Sequence, residues 1–183
     1  MANIPSLETQ CLSSLSKVFA DEELRENPFR KASALHNETY SFQVAFRSKQ
    51  LLKGVQVHIK SPLLENINIR TVGLVPSELP CYPDHDDQIL RSTPGLYPDP
   101  LYPLDPAEGI TAVPGQWRAI WLTIALHKLV PAGLYTVEIG FKASTGEVLG
   151  NESFELEVIS VSLPKQQLIH TEWFHVDCLA TYY

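Results

Sequence analysis

The stretch QWRAIWLTIAL, residues 116–126, decides the fold of this chain. Successive side chains of a β-strand point to opposite sides of a sheet. One side of this stretch would carry only aliphatic residues, namely Ile120, Leu122, Ile124 and Leu126. The other side would carry Trp117, Ala119, Trp121 and Thr123, which are largely apolar as well. A strand that is apolar on both sides is typical of the middle of a sheet, so we predict a central strand here.

Alternation with period two continues on both sides of this strand. In three further segments every second residue is apolar: Tyr40, Phe42, Val44 and Phe46; Val55, Val57 and Ile59; Tyr135, Val137, Ile139 and Phe141. We predict half-buried strands there, with a further strand from Ile67. A turn at ASTGE, 143–147, leads to SFELEVISVSL, where the apolar phase changes by one residue after Val158 and indicates a bulge or bend.

Short strands at regular spacing predict an all-β protein, and we predict an immunoglobulin-like antiparallel β-sandwich. Gly133 two residues before Tyr135 fits the corner tyrosine of such sandwiches, whose hydroxyl bonds nearby backbone. The N-terminal stretch is ambiguous. Leu12, Leu15 and Phe19 have helical spacing, while SLSKVF also suits an edge strand.

Prolines set one segment apart from the rest. Residues 76–114 hold nine of the 14 prolines, including YPDPLYPLDP at 97–106. Proline removes backbone donors and breaks helices, so we predict a long, stiff, ordered loop. Loops of this length are commonly functional or docked on another surface.

Composition excludes several classes of function. The net charge of -7 and the scattered Lys and Arg residues exclude nucleic acid and an anionic membrane surface as partners. We find no signal peptide pattern and no apolar run of membrane-spanning length, and expect a cytoplasmic, soluble protein. The three cysteines are far apart, which predicts reduced thiols.

Two clusters gather groups that could carry chemistry. CYPDHDDQ, 81–88, offers oxygen and imidazole ligands but lacks the spacing of a calcium loop, so an acidic solvated turn is favoured. HTEWFHVDCLATYY, 170–183, is denser; as a strand it places His175 and Asp177 on one face. We expect no metal and no cofactor, although His170, Glu172, His175 and Asp177 keep a metal-dependent enzyme open as an alternative.

Five stretches together resemble one family. They are SSLSKVF at 13–19, NETYSFQVAF at 37–46, YPDPLYPL at 97–104, VPAGLYTVEI at 130–139, and the terminal run. In this order they resemble the N-terminal part of bacterial proteins with the DUF4091 domain, related to glycoside hydrolase family 123. The resemblance implies an N-terminal β-sandwich followed by a catalytic (β/α)8 barrel that cleaves N-acetyl-β-galactosaminides. The resemblance also favours an extended conformation of SSLSKVF over a helix.

The resemblance implies a division into a sandwich, 1–165, and a crossover with the start of the barrel, 166–183. The family's catalytic Asp and Glu pair lies on later barrel strands, and no residue here matches it. The resemblance therefore predicts no catalytic residue and no enzymatic activity for this chain alone. Barrel strands end at the active-site face, so His175 and Asp177 are predicted to bind substrate in the longer protein.

Three partners are expected. The first is the chain's own catalytic barrel, for which the sandwich would be a scaffold. The second is carbohydrate, in an alternative in which the chain is a free-standing binding module and Tyr82, Tyr97 and Tyr102 form a stacking platform. The third is another copy of this chain, because the apolar tail 170–183 would invite self-association.

Overall fold

Two stacked β-sheets make up the fold in the computed structural model, which describes residues 6–127, 129–165 and 167–169. These residues contain β1 Leu7–Ser13, β2 Lys31–His36, β3 Thr39–Ser48, β4 Leu52–Lys60, β5 Ile67–Ser77, β6 Gly95–Pro103, β7 Ile110–Ala112, β8 Arg118–Ala125, β9 Gly133–Lys142 and β10 Val148–Ser162. A 3₁₀ turn at Leu64–Asn66 precedes β5. The all-β sandwich predicted from the sequence is confirmed, and its immunoglobulin-like detail stays a prediction.

The first sheet has the strand order β1-β3-β8-β5-β6, and all its ladders are antiparallel. β8, which contains most of QWRAIWLTIAL, is its central strand. Ile120 lies opposite Val44 of β3, and Leu122 lies opposite Ile69 of β5. The apolar character of both faces of β8 therefore predicted its place correctly.

The second sheet has the order β2-β10-β9-β4-β7, and one of its ladders is parallel. β2 runs parallel to β10, with Ala34 opposite Val158, whereas the other pairs are antiparallel. The predicted antiparallel sandwich is thus present with one parallel pair as an exception. Parallel neighbours require a long connection, and residues 37–147 separate β2 from β10.

The core lies between the sheets and is formed by alternate residues of each strand. Phe42, Phe141 and Phe154 are fully buried, and the rings of Phe42 and Phe154 stack with their centroids 4.0 Å apart. Each such ring contributes about 1.5–3 kcal/mol by leaving water. Aliphatic residues of both sheets fill the remaining volume: Val44, Val55, Ile120, Leu122, Ile124, Val137, Ile139 and Leu156.

β3 is buried on both faces, whereas its alternation predicted a half-buried strand. Residues 14–27 cross the outer face of the first sheet and cover it with a second apolar cluster: Leu12, Val18, Ala45, Trp117 and Ala119. Gln43 lies beneath this cover, and its Nε2 donates to the carbonyl oxygens of Ser13, at 2.9 Å, and Ser16, at 2.7 Å. Gln43 is therefore a polar strand residue that is buried because it hydrogen-bonds the irregular backbone covering this face.

The N-terminal segment forms an edge strand. β1 pairs with β3 from Leu7 opposite Ser48 to Ser13 opposite Phe42. Residues 14–19 are neither helix nor strand, and Leu15 is exposed. The helical spacing of Leu12, Leu15 and Phe19 therefore does not reflect a helix, because β1 ends between the first two.

The proline-rich segment is only partly a loop, which corrects its prediction as one long loop. Residues 78–94 contain neither strand nor helix, but 95–103 form β6 and 110–112 form β7. β6 is the edge of the first sheet and pairs only with β5. An edge strand needs backbone donors on one side alone, so Pro98 and Pro100 at alternate positions are compatible with it.

The sandwich has two distinct ends. We call one of them the exit end; it contains the end of β10, the turn 61–66 and the connection 126–132. We call the other the loop end; it contains the connection 49–51 and residues 78–94. β5 runs from the exit end to the loop end. Ile67 at its start pairs with Ile124 near the exit end, and Ser77 at its end pairs with Gly95 near the loop end. Its 11 residues correspond to about 35 Å.

Two local predictions for the exit end are confirmed. The register between β10 and β2 shifts between Ile159 and Ser162, which is the irregularity that the change of apolar phase indicated. The hydroxyl of Tyr135 donates to the carbonyl oxygen of Pro131 at 2.7 Å, as a corner tyrosine would.

Candidate functional site

β6 carries both candidate residues that lie among the described residues, Tyr97 and Tyr102. Tyr97 is half-buried, and its ring packs edge-on against Phe19 with the centroids 5.4 Å apart. Its hydroxyl donates to the carbonyl oxygens of Thr93, at 2.7 Å, and Arg91, at 3.2 Å. Tyr97 therefore ties the end of the loop to the sheet, and little of its ring is open to a ligand.

Arg91 organises the surroundings of Tyr97. Its side chain is 7% exposed, and its guanidinium donates to both carboxylate oxygens of Asp21 at 2.6 and 2.9 Å. The same group lies over the rings of Phe19 and Tyr97, 5.2 and 5.4 Å from their centroids. The hydrogen bond from Arg91 holds the pKa of the Asp21 carboxyl below its ordinary value. This cluster fastens residues 78–94 to the segment that covers the first sheet.

Tyr102 is more open. It is 56% exposed, and one part of its ring lies over Gly73 of β5. A Cβ atom at Gly73 would stand 2.4 Å from Cε2 of Tyr102 and 2.9 Å from Cγ of Pro100. Gly73 thus provides the space in which the ring rests, and the rest of the ring faces solvent.

The three tyrosines do not form one platform of equal exposure. Tyr82 in the loop is exposed and Tyr102 is largely exposed, while Tyr97 is held by Phe19 and Arg91. An open stacking surface would therefore depend on Tyr82 and Tyr102. Sugar binding by Tyr97 and Tyr102 stays a prediction.

The other two candidate residues, His175 and Asp177, lie outside the described residues, as do His170 and Glu172. Their roles stay predictions, and the same holds for the boundary between 1–165 and 166–183.

The acidic stretch 81–88 is exposed and bonds mainly to itself. The ring Nδ1 of His85 and the carbonyl oxygen of Asp86 are 2.7 Å apart, and Oδ1 of Asp86 accepts from the backbone N–H of Gln88 at 2.8 Å. Across residues 6–127, 129–165 and 167–169, no three His, Cys, Asp or Glu side chains are placed to hold a metal ion. This geometry is that of a solvated acidic turn.

One polar cluster was missed by the sequence analysis. Glu152 of β10 points inward with 5% of its side chain exposed, and its Oε2 accepts from Nε of Arg30 at 3.1 Å. The hydroxyl of Thr9 donates to Oε1 of Glu152 at 3.2 Å. Burial, with the nearby Glu152 charge, raises the pKa of the Cys11 thiol to about 12. Glu152 belongs to the same alternation as the buried residues Phe154 and Leu156, and this alternation could have predicted its burial from the sequence.

Beside this cluster the outer face of the second sheet has a shallow depression of about 600 Å³. It lies over Gly140, whose neighbours across the sheet are His58 of β4 and Asn151 of β10. Its rim is charged, with the pair Lys60 and Glu138 at 3.2 Å. Gly140 supplies the depression, because it has no side chain in a row of larger residues.

The fold and these surfaces define a class of protein, a two-sheet β-sandwich domain with polar and aromatic surface features. No family model matches the chain, and no curated protein matches it in sequence. Within the described residues no helix is both long enough and apolar enough to traverse a membrane.

Solved structures give a narrower comparison. The chain is similar to a family 123 glycoside hydrolase from Clostridium perfringens, studied for glycolipid glycan hydrolysis, with a TM-score of 0.67 and 11% identity over 87% of this chain. The chain spans 28% of that enzyme. At this identity the likeness shows the fold.

Two more distant matches have TM-scores too low to carry an argument. A β-glucosidase from Listeria innocua has a TM-score of 0.39 and 14% identity, over 87% of this chain and 17% of its own. AvmM, which catalyses macrocyclization in alchivemycin A biosynthesis, has a TM-score of 0.43 and 9% identity, over 89% of this chain and 93% of its own.

Proposed function

We propose that this chain is the non-catalytic N-terminal β-sandwich of a glycoside-hydrolase-like protein that acts on N-acetyl-hexosaminides. One observation carries the proposal: 87% of the chain superimposes on a family 123 enzyme, but it accounts for only 28% of that enzyme. The five sequence stretches that resemble the same group support it independently. In this proposal the sandwich is an accessory domain, and the residues that perform hydrolysis belong to a catalytic barrel that begins within 166–183.

The described surfaces are consistent with an accessory role. Arg91 and Glu152 are both engaged with partners inside the fold, at Asp21 and Arg30. Glycoside hydrolysis needs two carboxyl groups flanking an open sugar site, and a buried, ion-paired Glu152 cannot serve as one.

The reading frame downstream of Tyr183 in the source genome tests the proposal. We expect it to encode the remaining strands and helices of the barrel, alternating along the chain, with adjacent Asp and Glu residues at the end of one barrel strand. A stop codon directly after residue 183, or a downstream sequence without that pattern, would contradict the proposal.

A free-standing carbohydrate-binding module is the second candidate, because Tyr82 and Tyr102 expose aromatic rings that can stack on sugars. Under this alternative, titration calorimetry of the purified chain with N-acetyl-hexosamine oligosaccharides would give measurable heat. Tyr102→Ala would weaken binding by about tenfold or more. The matched control is Tyr97→Phe, which keeps the packed ring. Absence of heat with every oligosaccharide would exclude the module.

A further inference from the structure

An apolar patch lies on the outer face of the second sheet at the exit end. We name it the exit patch and define it as Leu35, Leu134, Ile159 and Val161. Leu35 lies directly opposite Ile159, and Leu134 lies opposite Glu157, two residues earlier on the same face of β10. Leu134 is 66% exposed, and Ile159 and Val161 are exposed as well. Side chains at such positions are close enough to form one continuous surface.

The remainder of this sheet face is polar, which makes the exit patch stand out. The hydroxyl of Ser33 donates to Glu157 at 3.1 Å, and Lys60 pairs with Glu138 at 3.2 Å. A sheet face that meets water normally alternates apolar inside and polar outside. Three or four neighbouring aliphatic residues that break this pattern mark a surface with a partner.

The chain leaves the sandwich beside the exit patch. After the irregularity between Ile159 and Ser162, the backbone N–H of Leu163 donates to the carbonyl oxygen of His36 at 2.8 Å, next to Leu35. The buried Nε2 of His36 has no hydrogen-bond partner among the described residues. Leu168 and Ile169, on the path toward the terminal run, are exposed. The chain therefore leaves β10 close to an exposed apolar surface and to a buried polar atom without a partner among the described residues.

We propose that residues 170–183 of the same chain cover the exit patch. This run contains five large apolar residues: Trp173, Phe174, Leu179, Tyr182 and Tyr183. Trp173 lies ten residue steps after Leu163, which allows a reach of up to about 33 Å and is ample for a neighbouring surface. Aromatic side chains gain most by such burial.

The exit patch lies far from the loop part of the proline-rich segment. Residues 78–94 lie at the loop end, about 35 Å from the exit end along β5. A segment that starts at residue 170 meets the exit patch first. The inference goes beyond the proposed function, because it concerns the 183-residue chain; in a longer glycosidase residues 170–183 would begin the barrel, and the exit patch would face that domain instead.

Photo-crosslinking within the 183-residue chain tests this contact. p-Benzoyl-phenylalanine replaces Leu134 in one sample and Leu51, an exposed leucine at the loop end, in the control. After irradiation and peptide mass spectrometry, we expect position 134 to link within its own chain to 170–183 and position 51 not to do so. Links from position 134 to another copy, or no link to 170–183, would overturn the proposal.

A protease assay checks the same point without a crosslinker. Chymotrypsin cleaves after Trp173, Phe174 and Tyr182 when these are accessible. We expect Leu134→Lys to accelerate cleavage within 170–183 by about tenfold and Leu51→Lys to leave the rate unchanged. Ile159→Lys serves as the second variant if Leu134→Lys unfolds, as judged by circular dichroism. Equal cleavage rates in the unchanged chain and in a folded patch variant would contradict the contact.

Discussion

Glu152 shows how a single residue can violate the strand pattern and still stabilise the fold. Its position in β10 is one that alternation reserves for an apolar side chain. The carboxylate is tolerated there because Arg30 and Thr9 both donate to it. Arg30 precedes β2 and Thr9 belongs to β1, so the three residues join the edges of the two sheets. The cluster is a structural clamp, which explains why an acidic residue lies at the rim of the core.

Removing Arg30 tests the clamp. Arg30→Ala would leave the buried Glu152 carboxylate with the Thr9 hydroxyl alone, and we expect a loss of about 1–2 kcal/mol in the free energy of unfolding. We expect only this modest loss of unfolding free energy because Arg30 is half-exposed, so water can reach the Glu152 carboxylate when Arg30 is removed. Urea denaturation at pH 7 measures it. Lys60→Ala is the control, since its pair with Glu138 is exposed and is worth less than about 0.5 kcal/mol. Equal losses in both variants would argue against a clamp.

Cys11 should be chemically silent in the folded protein. Its pKa of about 12 keeps the thiol protonated at pH 8, where an ordinary cysteine is partly thiolate. The raised pKa means that this thiol favours folding below its unfolded pKa of about 8.5, and that the effect is lost as the pH rises toward about 12. The pH dependence of stability and the low reactivity of this thiol therefore have the same cause, which is the burial of Cys11.

Ellman's reagent provides the measurement. The variant Cys81→Ser, Cys178→Ser retains only Cys11, and we expect its labelling at pH 8 to be about a thousandfold slower than in urea. Cys11→Ser is the matched control, because it retains the partly exposed Cys81, whose thiol should label without urea. Rapid labelling of Cys11 in the folded protein would contradict its burial.

At the scale of elements, β6 is the strand on which the surface features depend. It closes the first sheet as an edge, packs Tyr97 against Phe19 and Arg91, and leaves Tyr102 largely exposed. Its register with β5 shifts between Val72 and Leu74, and Gly73 lies at that shift. The prolines of β6 also protect the edge, because a strand that lacks donors is a poor template for another chain.

The fit of Tyr102 over Gly73 gives an element-scale prediction. Gly73→Ala places a Cβ atom 2.4 Å from the tyrosine ring, and we expect about 1–3 kcal/mol of destabilisation from overpacking. Thermal unfolding measures the loss. Tyr102→Ala in the same molecule should recover most of it, since the obstructing ring is gone. Gly140→Ala is the control, because its new Cβ would meet the end of the Asn151 side chain at 3.3 Å and the carbonyl oxygen of His58 at an ordinary contact distance of 3.8 Å. An unchanged midpoint in Gly73→Ala would refute this fit.

Most of the strands could be predicted from the sequence, because period-two alternation reports which side of a strand is buried. β8 and β9 followed directly from it, and so did the irregularity after Val158. β6 could not be predicted, since alternate prolines hide an edge strand among loop signals, and three-residue β7 is too short for any periodicity. Burial of Gln43 and of Glu152 also escaped, because it depends on segments distant in sequence. Of the candidate site, sugar binding by Tyr102 stays a prediction, and the engagement of Tyr97 by Arg91 could not be predicted because it depends on the pairing of the strands.

At the scale of the whole molecule, the sandwich separates its features between two ends. The loop end holds the acidic turn and Tyr82, and the exit end holds the exit patch and the path toward residues 170–183. An accessory domain needs a fixed surface toward its neighbour, and a rigid two-sheet core supplies it. Under the proposed function, this chain would provide the frame and another part of the protein would provide the chemistry.

Hydrolysis of an aryl N-acetyl-β-galactosaminide is the measurement that tests this account most directly. The 183-residue chain and the polypeptide extended through the downstream reading frame are compared at equal molar concentration. We predict that the extended polypeptide releases the aryl group and that the 183-residue chain does not exceed the buffer rate. Turnover by the 183-residue chain itself, or no turnover by a folded extended polypeptide, would contradict the central claim.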